Sequence, residues 1–441
     1  MRPQLTGSWN SDGGILLTTI VVTGVIGMAL AAYLTLVTNE NQLVVRSQVW
    51  NDALPVAEAG IEEALTHCHN NNITNMVSNG WSLSGNQYVK TAVVTDAGLS
   101  GPGLRLGYLL QNDGYYNVSI SATLPYTITS RGCFAMAGNG TFVCRTIQVT
   151  TSNLGVYFAG IVVKDDFDMN GNDVLVDSYD STDPSKSTLG CYDPLKASDK
   201  GDVACMSGLT NSLKVGNANV WGHAYTSANG GVYTGPNGAV GSTNWQLAGN
   251  SGVQPGWWRN DLNMTLPDVL APFTSATPPA SGTVGALTYS YVLGNGNYIL
   301  STLGKNTVVT GNAVLYVTSG IKFSGSDTIT ILPGASLQLY NGGADAGFNT
   351  IINTNSSPTS FMYYGLNSNN GTVTLNGQGA AITACIYAPY AKIMVTGGGI
   401  IYGSLAGRSA KMNGNSAIHY DESLRNLGLS RGFIITSWIE L

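Results

Sequence analysis

The sequence predicts a mainly β protein led by one long α-helix, and three observations predict it. Residues 15–38, ILLTTIVVTGVIGMALAAYLTLVT, carry no charge, and apolar residues at helical spacing continue to residue 68. Residues 73–153 contain runs that alternate apolar and polar, the period of half-buried strands. From about residue 155, short aliphatic runs are cut by Gly and Asn, which tolerate positive φ. That texture suits the rungs and corners of a right-handed parallel β-helix, with a β-sandwich as the alternative.

The helix comes first. Its apolar part runs from 15 to 37, 23 residues or about 34 Å as a helix, enough to cross a bilayer core. The continuation, NENQLVVRSQVWNDALPVAEAGIEEALTHC, is polar. Trp50, Leu54, Ala57, Ile61 and Ala64/Leu65 recur in it every three or four residues and predict a packing stripe. Pro55 removes a backbone donor and predicts a bend. The run His67-Cys68-His69-Asn70-Asn71-Asn72 predicts the helix end. Two other readings of this segment compete. A secretory signal would be cut at Ala29-Leu30-Ala31, but the apolar run continues past that site and Arg2 is the only positive charge before it. A plain membrane anchor has little positive-inside support, with Arg2 before the span and Arg46 after it.

The strand runs YYNVSISATLP (115–125) and TFVCRTIQVTTS (141–152) predict a small sheet packed on the second half of the helix. Cys133 and Cys144 lie in SRGCFAMAGNGTFVC, a strand–turn–strand pattern with Asn139-Gly140 at the turn. Cys191 and Cys205 bracket the polar loop CYDPLKASDKGDVAC. Both pairs are expected to be disulfides, since six cysteines fit an oxidising compartment. The sequence does not fix the connectivity and leaves Cys68 and Cys385 unassigned. No C-x-x-C occurs and no His stands at ligand spacing to a Cys, which argues against zinc.

Composition narrows the function. Charged residues make up 10% of the 441, against about 25% in an average soluble domain, and 56 residues are Gly. Such an uncharged, β-prone surface suits an exported structural protein better than a cytosolic enzyme. The net charge is −6 and no basic run exists, so nucleic acid is excluded as a partner.

Three features of the N-terminus together resemble the PilX-type minor pilins of the type IV pilin-like proteins. They are a short polar leader ending in Gly14, the uncharged run from Ile15 with small residues at Gly24, Gly27, Ala29, Ala31 and Ala32, and the segment Ala57-Glu58-Ala59-Gly60. Residues 158–181 (FAGIVVKDDFDMNGNDVLVDSYDS), 386–424 (IYAPYAKIMVTGGGIIYGSLAGRSAKMNGNSAIHYDESL) and the ending SWIEL are similar to the β-helical domain attached to such N-termini. Residues 182–280 match nothing of the family. The resemblance implies cleavage by a prepilin peptidase after Gly14, exposing Ile15, and helix packing through Gly24, Gly27 and Ala31. Two departures stand out. Ile15 replaces the usual Phe, and Thr19 stands where most pilins carry Glu. Both point to a minor subunit rather than a major one.

Candidate sites are few. Asp166, Asp168, Asn170 and Asp177, with Gly171 between them, fit the positions of a calcium loop. Asp173 at the usually aliphatic position 8 and strand-like flanks favour a plain β-corner instead. His67 and His69 do not share a helix face. His223 and His419 are isolated, and Tyr420-Asp421-Glu422 reads as the last rung and its end. A polysaccharide-degrading β-helix would need paired carboxylates, yet residues 282–418 hold only Asp327 and Asp345. Tyr225, Tyr233, Trp245, Trp257 and Trp258 could stack on glycans but read better as core and loop anchors.

The expected organisation is a leader at 1–14, a transmembrane and amphipathic helix at 15–68, a small β-rich region at 69–153, a β-helical head at 154–424 and a tail at 425–441. The expected role is non-enzymatic and without cofactor or metal: a subunit of a type IV pilus or pseudopilus-type filament. Its partners would be other pilins, the assembly machinery, the prepilin peptidase and the bacterial inner membrane, with surface glycans as a further possibility. A carbohydrate-binding adhesin is the second reading.

Overall fold

The computed structural model describes residues 12–69, 73–94, 114–123, 125–136, 141–169, 171–262, 264–377, 381–427 and 432–441. It forms two units, one of residues 1–67, 72–150 and 436–441, the other of 68–71 and 151–435. The chain is mainly β with one long helix at its N-terminal side.

In the first unit the helix Asp12–His69 continues without a break through Pro55. Its buried positions are Val49, Ala53, Val56, Ala57, Gly60, Ile61, Ala64, Leu65 and Cys68, one stripe at three- to four-residue spacing. It agrees with the expected stripe at Ala57, Ile61, Ala64 and Leu65 and departs from it at the start: Trp50 is 47% exposed and lies under the Arg145 guanidinium, 5.3 Å from the ring centroid. The reason is closeness. A Cβ on Gly132 of the sheet would collide with the Ala57 backbone and stand 2.5 Å from the Ala53 carbonyl oxygen. Only Ala and Gly fit the helix at that crossing, so small residues rather than large ones choose the face.

The sheet against this stripe has six strands in the order Ser82–Ser84, Gln87–Val94, Gly114–Ser121, Thr127–Ala135, Phe142–Leu154 and Gly432–Glu440. The first five pair antiparallel. Their inward residues Tyr116, Val118, Ile120, Ile128, Ile147 and Val149 alternate with outward ones, the half-buried pattern of an antiparallel sheet. Cys133 and Cys144 face each other in register and form a disulfide, with Cα atoms 4.1 Å apart. The Asn139-Gly140 turn lies outside the described residues. The C-terminal residues expected as a tail instead supply the last strand. It is held by the Arg145–Glu440 ion pair, 2.5 Å, and by the Leu441 amide donating to Thr146 O.

In the second unit most strands pair parallel, each with a strand about one turn of chain away, the exception being the antiparallel hairpin of Ala280–Val284 with Leu287–Leu293. The residues Leu315, Leu339, Tyr363 and Ile386 stand in register one above another, 19 to 24 residues apart along with Leu405. The stack then jumps in sequence. Leu405 pairs with Ile161, and the ladder continues through Val203 and Ala224 to Trp258. Members from Leu315 to Ala224 are fully buried, while the terminal Trp258 is 41% exposed. A second ladder, Ile382, Ile401, Ile418, Val176, Val220, Val240 and Val253, makes the same jump.

The chain therefore starts in the middle of the stack at residue 161. It winds to one end at residue 259, crosses to the other end, and winds back from residue 280 to dock its last turn on its first. Residues 260–279 make the crossing. Leu262, Met264, Leu266 and Val269 are buried there beside Tyr157, Tyr225, Tyr387 and Tyr420. The Tyr387 hydroxyl donates to Pro267 O at 2.6 Å. Apart from one antiparallel hairpin, Ala280–Val284 with Leu287–Leu293, the strand ladders of this unit are parallel, unlike the antiparallel sheets of a sandwich.

Candidate functional site

Two places in the molecule depart from an ordinary soluble core: the first half of the helix, and the seam where the last parallel turn meets the first.

Every described side chain from Leu16 to Leu36 is exposed, including twelve large apolar ones: Leu16, Leu17, Ile20, Val21, Val22, Val25, Ile26, Met28, Leu30, Tyr33, Leu34 and Leu36. Leaving one such side chain in water forfeits about 1.5–3 kcal/mol relative to burying it. Their sum is large against the whole stability of a domain. The hydroxyls within or beside this stretch are turned inward. Thr23 donates to Thr19 O at 2.6 Å, Thr35 to Ala31 O at 2.8 Å and Thr38 to Leu34 O at 2.7 Å. In hydrocarbon each would otherwise be an unsatisfied donor. It is the one helix among the described residues long and apolar enough to cross a membrane. Gly24 and Gly27 have nothing within 4 Å of where a Cβ would stand. Gly14 and Ile15 lie on the helix backbone, after its first described residue.

The seam is polar inside. His419 pairs in register with Asp177 on one side and with Tyr402 on the other. His419 Nδ1 bonds Asp177 Oδ1 at 2.5 Å, and the Tyr192 hydroxyl donates to Asp177 Oδ2 at 2.6 Å. The Tyr192 ring lies flat on the imidazole, with centroids 3.7 Å apart. Burial and the Asp177 carboxylate push the Tyr192 phenol up from its ordinary value. Glu422 follows three residues after His419, just past the end of the same strand. It accepts from Lys186 at 2.7 Å, Lys200 at 3.1 Å, Ser198 at 2.5 Å and Ser178 at 3.1 Å. Burial pushes its carboxyl up, but the bonds from Lys186, Ser198 and Lys200 outweigh that and hold it below the ordinary glutamate range. Both Asp177 oxygens are taken and the imidazole face is covered, so the cluster is arranged to hold the seam rather than to react.

Asp177 is fully buried and committed to His419 and Tyr192, Asp168 lies 3.5 Å from Lys411 Nζ, and Asn170 is outside the described residues. Among the described residues no group of three or more His, Cys, Asp or Glu could hold a metal ion. The Cys191–Cys205 disulfide is overturned. Both thiols are free: Cys191 is exposed at a tight turn with Thr188, whereas Cys205 points into the core and its thiol donates to Asp165 O. Burial pushes the Cys205 thiol up. Cys68 and Cys385 are free and buried. Of the five aromatics considered for glycan stacking, Tyr225 and Trp257 both lie against His223, with centroids 6.1 and 4.3 Å from it. Tyr225 is buried, and Tyr233 and Trp258 are exposed.

Sequence reasoning missed the seam. Asp177 and His419 are 242 residues apart. The only local signal was a carboxylate inside VLVDSY and an imidazole inside AIHYD, each mid-strand where a partner is required.

A family described as a domain of unknown function, DUF7305, matches residues 279–427, which coincide with the second run of turns and its end on the seam. No curated protein matches the chain. The crystal structure of the competence-associated pilin ComZ from Thermus thermophilus is similar at 13% identity, covering 89% of this chain and 98% of that one. Its TM-score of 0.27 is too low to bear on fold or function.

Proposed function

We propose that this chain is a pilin-like, minor subunit of a type IV pilus or pseudopilus-type filament. The observation that carries the reading is the division of one continuous helix. Residues 16–36 are uncharged and exposed, and the second half of the helix is seated on a sheet. A helix so divided needs an apolar surrounding for one half only. A bilayer supplies it before assembly, and the helices of neighbouring subunits supply it afterwards. Gly24, Gly27 and Ala31 would let those helices approach closely. The leader ending at Gly14 would be removed by a prepilin peptidase to leave Ile15 first.

The second unit is read as a right-handed parallel β-helix carried outside the membrane, where it could serve adhesion. Its stacked aliphatic ladders and parallel pairing support that reading. Its bulk, and Thr19 in place of Glu, favour a minor position over a densely repeated one.

Mass spectrometry of the mature protein from its host is the test. A chain beginning at Ile15 is expected. A chain beginning at Ala32 would mean ordinary secretion and overturn the filament reading. An intact Met1 would reduce the helix to a static anchor.

A further inference from the structure

One cleft in the second unit has the chemistry of a binding site. It lies along the corners of three successive turns and measures about 470 Å³, within the range of small-molecule pockets. Leu303 and Ile321 form its floor, in register with each other and fully or nearly buried. The walls carry Lys305, Lys322, Asp345 and Tyr291, with hydroxyls at Thr302 and Ser319. Lys305 and Lys322 come from neighbouring turns, and neither is in an ion pair among the described residues.

The surrounding charge is unlike the rest of the chain. Residues 282–418 hold five basic residues, Lys305, Lys322, Lys392, Arg408 and Lys411, against Asp327 and Asp345, although the whole protein is at −6. The acidic wall is also fixed in place. Buried Asn341 donates to Gly343 O and Asp345 O at 3.2 Å each, and buried Asn369 donates to Ala344 O at 2.7 Å. The Tyr363 hydroxyl joins the two asparagines at 3.0 Å each. Asp345 Oδ1 accepts the Thr372 amide at 2.7 Å, which aims the carboxylate. A corner held by this many buried amide bonds is preorganised before any ligand arrives.

We propose that this cleft binds a carboxylated sugar, with the acid group on Lys305 and Lys322 and ring hydroxyls on Asp345. A simple dianion such as phosphate would suit the lysines but be repelled by Asp345. A neutral sugar would leave two ammonium groups unanswered. A sugar acid satisfies all three charges, and Tyr291 offers an aromatic face beside them. This goes beyond the assembly role proposed above and does not depend on it, so the N-terminal mass measurement and the binding test can fail separately.

The test is calorimetric titration of the full-length chain in detergent with digalacturonate, its dimethyl ester and inorganic phosphate. Saturable binding of digalacturonate is expected, at least about tenfold tighter than the ester. Lys305→Ala and Lys322→Ala should each weaken it about tenfold. Both positions are exposed, and an unchanged thermal midpoint verifies folding. Asp345→Ala should weaken digalacturonate while leaving phosphate no weaker. The proposal is overturned if the acid does not bind, if the ester binds as tightly, or if the lysine variants bind normally. It is equally overturned if Asp345→Ala tightens digalacturonate, the behaviour of a plain anion site.

Discussion

The two halves of the N-terminal helix use glycine in opposite ways. Around the second half, close approach is already realised within the chain. A Cβ on Gly60 would lie 2.8 Å from the Tyr116 ring, and one on Gly132 would strike the Ala57 and Ala53 backbone. Around the first half, Gly24 and Gly27 touch nothing. The same residue type is a completed contact in one place and an open one in the other. Small residues therefore mark where something must come close, and only the structure says whether it has already arrived.

The largest effect that would break this contrast is at Gly132. Gly132→Val should destabilise the first unit by about 3 kcal/mol or more, because the obstruction is backbone that cannot turn aside. Gly60→Val should cost less, about 2 kcal/mol, since the Ser130 and Tyr116 side chains can shift. Thermal unfolding in detergent measures both, and equal, small losses would refute the close packing.

A pH titration supplies a reference in the second unit. Glu422 is held below the ordinary glutamate value, so its stabilising contribution is present above about pH 4.3. It is lost as pH falls through the lowered folded value. Glu422→Gln should lower stability at neutral pH and flatten the acid limb of the unfolding curve, whereas the glycine variants should leave that limb unchanged. The smallest effect on stability is expected at the open positions. Gly24→Val and Gly27→Val should stay within about 0.5 kcal/mol in detergent yet reduce recovery of the subunit in sheared filaments. Full recovery would mean that close helix approach there is not needed.

Much of this was legible in the sequence because it was local. An uncharged run and a helical stripe are patterns of period 3.6, and the alternation in residues 115–121 and 142–149 is a pattern of period two. The stripe was read correctly at Ala57, Ile61, Ala64 and Leu65 but missed at its start, because sequence weighs Trp50 and Leu54 above Ala53, while the Gly132 crossing favours the small side chains. The Cys191–Cys205 expectation failed for a similar reason. Loop brackets suggest closeness, but Cys205 belongs to an inward-facing strand position. The seam was hidden because Leu405 meets Ile161, a pairing that no neighbouring residues encode. The cleft was hidden because its lysines gain meaning only when turns 17 residues apart are stacked.

The segment that crosses from one end of the stack to the other has a consequence for how this protein can change over generations. Ten strands stand between Tyr298 and Trp258, nine steps of about 4.8 Å or roughly 43 Å. Residues 260–279 bridge that span, and twenty extended residues can reach roughly 66 Å. The first and last turns of this unit pair with each other in the middle of the stack, so whole turns could be duplicated or deleted at either tip without touching that pairing. The bridging segment is then a tape measure: each added turn consumes between one and two residues of its slack, and the head can lengthen only until the tape is taut.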